Sequence, residues 1–213
     1  RDVVEGAGGA AIMVAAMLTP FLRSGQRRWG VDEATAARSY PGDELVPAPT
    51  SHWTHGVEID APADAVWPWV AQIGADRGGF YSYQWLENVV GCEVRNAERI
   101  HPEWEVKVGD GLRLHPDMPP LPVVEVERGR YWLAFGAADA AAKAAGKAWV
   151  ESCWLFFLEP LGPDRCRFIS RYRAATSDDL GMKLAYGAAI EPIGFAMDRR
   201  MLLGVKARVE RHG

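Results

Sequence analysis

Two strand-like runs stand almost back to back in the chain, WVESCWLFFLEP (149–160) and RCRFISRYRA (165–174), separated only by LGPD (161–164). Glycine and proline in so short a connection make a turn, so the runs are predicted to form one antiparallel hairpin. Pairing symmetric about the turn brings Phe157 beside Phe168 and Leu155 beside Ser170. Side chains alternate across a strand. Trp149, Glu151, Cys153, Leu155 and Phe157 then share a face with Cys166, Phe168, Ser170 and Tyr172. Arg167, Arg171 and Arg173 point the other way, which is assigned to solvent, and the Glu151/Ser170/Tyr172 face is assigned to the interior. A slip of one residue would instead turn Trp154 and Phe156 inward.

Three further strand-like runs precede the hairpin: GLRLHP (111–116), PVVEVERG (122–129) and RYWLAFG (130–136), with ERGR (127–130) as a turn. SHWTHGVEIDA (51–61) reads as a first strand. PADAVWPWVAQIG (62–74) reads as a short helix opened by proline, with Val66, Trp69, Val70 and Ile73 on one face. Pro68 interrupts it. YQWLENVVG (83–91) is a second short helix closed by glycine, and GAADAAAKAAGKA (136–148) is a loop or short helix at the end of the sheet. Residues 179–212 form a long helix with Leu180, Leu184, Ile190, Ile193, Met197, Met201 and Val205 as its apolar stripe, bent at Pro192. An antiparallel sheet with helices segregated to one face is an α+β architecture.

At 213 residues the chain is long enough for one domain with a substantial core, and nine tryptophans suit a broad cavity or an interface. A net charge of −4 carries no basic footprint, so nucleic acid is not expected as a partner. Cys92, Cys153 and Cys166 have neither paired zinc spacing nor an even count and read as reduced thiols, which places the domain in the cytoplasm. His52 and His55, three apart on a strand, make a poor metal pair, and no metal is expected. There is no nucleophile elbow, phosphate loop, dinucleotide fingerprint or zinc helix, so no cofactor is expected either.

The organisation along the chain is predicted in three parts. Residues 1–28 form an apolar helix, VVEGAGGAAIMVAAMLTPFL followed by RSGQRR. It is near the length of a membrane span with trailing positive charge, which makes it either an anchor at the inner face of the cell membrane or a helix packed on the domain. Its helical part is expected over about 8–23, tied loosely to the rest. Residues 29–50 form an extended arm with Pro47 and Pro49, and residues 51–213 the main domain. Asp43, Glu44 and Asp110 lie in glycine-containing loops and read as turn formers.

The blocks PGDELVP (41–47), GGFYSYQWLENVVGC (78–92), NAERIHPEW with VGD (96–110) and RRMLLGVKARVE (199–210) resemble one bacterial branch of the START-like superfamily, also called SRPBCC or polyketide cyclase/dehydrase-like. The resemblance runs from about residue 29 to 211. It implies a helix-grip fold: a curved antiparallel sheet wrapped on a long C-terminal helix, with two short helices closing one end of a deep cavity. The superfamily holds lipid carriers, receptors, cyclases and hydrolases, so the resemblance assigns no reaction.

Within that plan the aromatics behind Gly78 and Gly79 are expected at the cavity. Tyr81, Tyr83 and Trp85 should border the largest pocket, with at least one hydroxyl reaching it; the plainer alternative is that they cap the core. Ser170 and Tyr172 belong to the inner sheet face, and Met197 and Met201 supply adaptable wall. Glu151 is the candidate acid or base, unless it escapes to water at the rim. His115 is the candidate imidazole or a rim residue, and Arg199 and Arg200 either meet an anionic head group or face solvent. Three functions compete. One is a binder of a small hydrophobic molecule such as a lipid, polyketide or aromatic. The others are a cyclase-, dehydratase- or hydrolase-type enzyme using the same cavity, and a membrane-tethered interaction domain with a filled core. The oligomeric state is left open.

Overall fold

The computed structural model describes residues 2–212. In chain order its helices and strands are α1 (Asp2–Leu18), α2 (Arg23–Gln26), α3 (Glu33–Ala37), β1 (Ser51–Ile59), α4 (Ala63–Ala71), α5 (Gln84–Val89), β2 (Gly111–Leu112), β3 (Leu121–Glu127), β4 (Tyr131–Gly136), α6 (Ala140–Ala144), β5 (Val150–Gly162), β6 (Arg165–Thr176), α7 (Leu180–Leu184) and α8 (Glu191–His212). The strands form one antiparallel sheet in the order β1-β6-β5-β4-β3-β2. The last strand returns beside the first, and α8 packs across the sheet and α4. This is the helix-grip, START-like α+β fold expected from the sequence.

The β5–β6 register differs from the symmetric hairpin. Gly162 pairs with Arg165, but Pro160 pairs with Cys166, leaving Leu161 as an extra residue. That bulge shifts everything below it by one position. Phe157 meets Ile169, Phe156 meets Ser170, and Leu155 meets Arg171. A one-residue shift exchanges the faces of a strand. Trp154, Phe156 and Leu158 therefore join Phe168, Ser170 and Tyr172 inside, whereas Glu151, Cys153, Leu155 and Phe157 turn to the outer face. Glu151 there lies 3.7 Å from Lys143 as an ion pair, so its assignment to the interior is corrected.

The outer face is not left to solvent. The arm between α3 and β1 lies on it, and Tyr40 and Val46 join Leu133, Cys153, Leu155, Phe157 and Ile169 in a second buried cluster. Arg171, expected in water, is buried under the arm. Its guanidinium donates to both carboxylate oxygens of Asp43 at 2.8 and 3.0 Å, to the Ala36 carbonyl at 3.0 Å and to Thr54 Oγ1 at 2.5 Å. Asp43 also accepts from the Tyr40 amide at 3.1 Å, so it forms the turn as read from sequence and holds the arginine as well.

The long closing helix begins at Asp179, whose side chain accepts from the Met182 amide. A π-helical turn at Ala185–Ile190 separates α7 from α8. Pro192 follows directly: it has no N–H to give and its ring crowds the carbonyl one turn back, and a widened turn there relieves both problems. The apolar stripe is buried only in its second half. Met201, Leu202, Val205 and Val209 are core, but Leu180, Leu184, Ile190 and Ile193 are exposed. The first half of α8 touches the sheet where Gly194 lies against Trp53, and beside that contact Ile190, Ile193 and Met197 border a space.

The N-terminal helix starts earlier than expected and is docked on α8 and α5. It docks by its small residues. A Cβ at Gly6 or Gly9 would fall 2.4 or 2.8 Å from the rings of Trp85 and Tyr83, and Glu5 pairs with Arg200. Its larger apolar residues Val4, Val14 and Leu18, with Phe21 beyond, face outward. No helix among the described residues is long and apolar enough to cross a membrane.

Candidate functional site

A cavity of about 340 Å³ lies under the first half of α8, walled by the sheet and by the segment from Phe80 to Val94. Its existence follows from the composition of the sheet's inner face. Trp53 on β1, Trp154 on β5 and Tyr172 on β6 stand side by side, because β6 lies between the other two strands. Large flat side chains in adjacent positions stack on one another rather than interdigitate with a helix. Trp53 and Tyr172 are stacked at 4.4 Å, and Trp154 meets Tyr172 edge-on at 6.2 Å. Phe80 stacks on Trp154 at 6.4 Å. From above, Ile190, Ile193, Met197 and Met201 complete the wall.

Two acids break this apolar lining. Glu87 on α5 is 6 % exposed, burial pushes its carboxyl up to about 7, and its Oε2 has no hydrogen-bond partner among the described residues. Asp198 on α8 is 3 % exposed. Its Oδ2 accepts from Trp53 Nε1 at 3.1 Å and lies 2.5 Å from His55 Nδ1, while its Oδ1 is buried without a partner. His55 Nε2 is 2.8 Å from the Gln26 carbonyl. A carbonyl can only accept, so Nε2 carries a proton, and the contact with Asp198 holds one more. Whichever atom carries that second proton, the His55–Asp198 pair has no net charge.

The residues expected at a binding site divide by place. Tyr172, Met197 and Met201 line this cavity. Ser170 is on the inner face, where its Oγ accepts from Trp154 Nε1 at 2.8 Å and fixes the indole. His115 is outside the lining of this cavity, 3.1 Å from the Val90 carbonyl. Glu151 is on the far side of the sheet.

Tyr81, Tyr83 and Trp85 border a different space, a groove of about 410 Å³ between α1, α5 and α8. That groove is larger, but its walls are charged side chains already paired, Glu5 with Arg200 and Glu98 with Arg208, and it offers little apolar surface to a ligand. Tyr81 is a core plug. Its hydroxyl accepts from Gln72 Nε2 at 2.7 Å and donates to the Trp69 carbonyl at 3.2 Å. Its backbone has φ 53°, held by the Asn96 side chain, which accepts from the Tyr81 amide. Gly79, at φ 73°, supplies the sharp turn expected of it, but the turn sends the tyrosine into the core rather than to the cavity.

Glu87, Asp198 and Trp53 are not singled out from sequence; Phe80 enters only among the aromatics behind Gly79, and Trp154 only as the outcome of a one-residue slip. One signal was present: Asp198 falls three residues before Met201 and four after Gly194, an acid inside the apolar stripe of the long helix.

No protein-family model and no curated protein matches the chain. Solved structures do. A START superfamily protein from Mycobacterium smegmatis is 13% identical over 76% of this chain and 99% of its own, with a TM-score of 0.33. An aromatase/cyclase from a Streptomyces species is 14% identical over 76% of this chain and 94% of its own, with a TM-score of 0.31. A hypothetical protein from Helicobacter pylori is 14% identical over 80% of this chain and 95% of its own, with a TM-score of 0.45. At these identities and TM-scores nothing is carried over to this chain, and the site is read from its own residues.

Proposed function

We propose that the chain binds a small hydrophobic molecule in the cavity between the inner sheet face and α8. The observation that carries this reading is the unfilled, aromatic-walled space of about 340 Å³, the size of a small-molecule site. Apolar side chains that line a space instead of packing on one another forgo contacts that a close-packed interior would make, so an apolar ligand complements this wall. The same space argues against an interaction domain with a filled core. Titration with the neutral dye Nile red tests the reading. Fluorescence should rise saturably, and Ile193→Trp, which fills the mouth, should abolish the rise while the melting temperature holds. Equal binding by the filled variant would defeat it.

A second reading, an acid–base enzyme of cyclase or dehydratase type, is favoured by one observation: a buried carboxyl in the cavity titrating about 7 can both give and take a proton near neutrality. Native mass spectrometry of protein from its own host separates the two. A carrier retains one unchanged molecule, whereas an enzyme converts the retained molecule on incubation, and Glu87→Gln stops the conversion.

A further inference from the structure

We propose that the cavity selects a cationic ligand, an apolar amine whose ammonium group is taken up by the carboxylates of Glu87 and Asp198. This rests on reading the cavity as a small-molecule site and adds the chemistry of its occupant. The two acids come from different elements, α5 and α8, and converge on one apolar space. Each presents a buried oxygen that no described protein group satisfies, Glu87 Oε2 and Asp198 Oδ1. Unsatisfied buried acceptors are rare in folded proteins because each forfeits its solvation. Two in one cavity are therefore best explained by a donor that arrives with the ligand.

The sign of the charge follows from the surroundings. No lysine, arginine or histidine lines the cavity. The other titratable groups facing Glu87 there are Cys92 from the loop after α5, Tyr172 from β6 and Asp198 from α8, none of them a cation. His55, behind Asp198, is spent on that residue and on the Gln26 carbonyl, and the pair is neutral overall. An anionic ligand would meet two carboxyls and no counter-charge. A neutral donor would satisfy an oxygen but leave the charge of an ionised Glu87 buried and unpaired, the costly arrangement. An ammonium group supplies both charge and donors, with several N–H bonds to share between two acceptors. Trp53, Trp154 and Tyr172 line the same space and would cover the apolar body of the amine.

The test is isothermal titration at pH 8 with three probes of nearly one shape: tryptamine, tryptophol and indolepropionate. Tryptamine should bind roughly tenfold tighter than tryptophol, the scale of one charge-assisted hydrogen bond, and indolepropionate should bind weakest. Glu87→Gln, which keeps the shape and removes the charge, should bring the tryptamine affinity down to the tryptophol affinity measured in the same variant. If tryptophol equals or exceeds tryptamine, or the preference survives Glu87→Gln, the amine inference is overturned and the apolar cavity stands. If none of the three binds, the cavity reading falls and takes the inference with it.

Discussion

The two faces of the sheet are built from the same strands and solve opposite problems. On the outer face the arm brings its own side chains, and Tyr40, Val46, Leu133, Leu155, Phe157 and Ile169 close into a buried cluster, with a groove of about 350 Å³ at its edge between Arg38, Tyr40, Arg130 and Phe157. Arg171, buried there, has its donors met by Asp43, Ala36 and Thr54, while Arg167 on the same face keeps its Nε without a partner among the described residues. On the inner face the long helix touches the aromatic wall at Trp53 and leaves a cavity beside that contact, and the two buried acids keep oxygens without partners among the described residues. Buried polar groups satisfied from within the chain mark a face that serves stability. Carboxyl oxygens left open on two residues that line one cavity mark the face that receives something else.

Asp43→Ala attacks the satisfied face most directly. It strips the carboxylate from a buried guanidinium and should cost about 3–5 kcal/mol, read by urea unfolding, with Nile red affinity unchanged in the folded protein. A small loss would mean that the arm is an ornament on the sheet and that the contrast between the faces is false.

Next in size is the pH response of the open face. Burial disfavours the charge of Glu87 and pushes its carboxyl up to about 7 in the folded protein, from an ordinary value of 4.5. The folded state therefore binds the proton more tightly than the unfolded chain. Glu87 contributes its full stability below about pH 4.5, and that contribution is lost as pH rises to and through 7, on the order of 3 kcal/mol in all. Urea unfolding at pH 5 and pH 8 should show the decline in the wild type and a flatter profile in Glu87→Gln. An unchanged profile would remove Glu87 from the list of buried acids.

Tyr81→Phe should cost about 1–2 kcal/mol, because Gln72 and the Trp69 carbonyl lose a shared partner, and it should leave ligand affinity alone. Weaker binding at unchanged melting temperature would restore the tyrosine to the binding site. The smallest effect on stability belongs to Ile193→Ala at the half-open mouth, within about 0.5 kcal/mol. Its effect on Nile red affinity should nonetheless exceed that of Asp43→Ala.

The sequence carried the antiparallel meander and the closing helix plainly, because turn residues and apolar spacing are local signals. What it hid were features set at a distance. The bulge at Leu161 is one residue in a turn read as symmetric, yet it exchanged the faces of β5 and moved Glu151 out while bringing Trp154 in. Arg171 looked solvent-bound because nothing in its own strand announces the arm, which comes from more than a hundred residues earlier. Tyr81 was placed at the cavity by its neighbours, but its direction depends on a backbone twist held by Asn96. The acids of the site were legible only in part. Asp198 sits in the apolar stripe of α8, but the pairing of Trp53 and His55 with it arises only when β1 and α8 meet.

Nine tryptophans make the central claim open to one measurement. In isotope-labelled protein each indole N–H gives its own nuclear magnetic resonance signal, and unlabelled tryptophol, being neutral, probes the cavity without invoking the amine preference. Saturation should move the signals of Trp53 and Trp154, which wall the cavity, and leave Trp85 in the groove beside α1 in place. Movement of Trp85 with Trp53 and Trp154 unmoved would contradict the account, because the ligand would then occupy the polar groove and the inner face of the sheet would be only a loosely packed core.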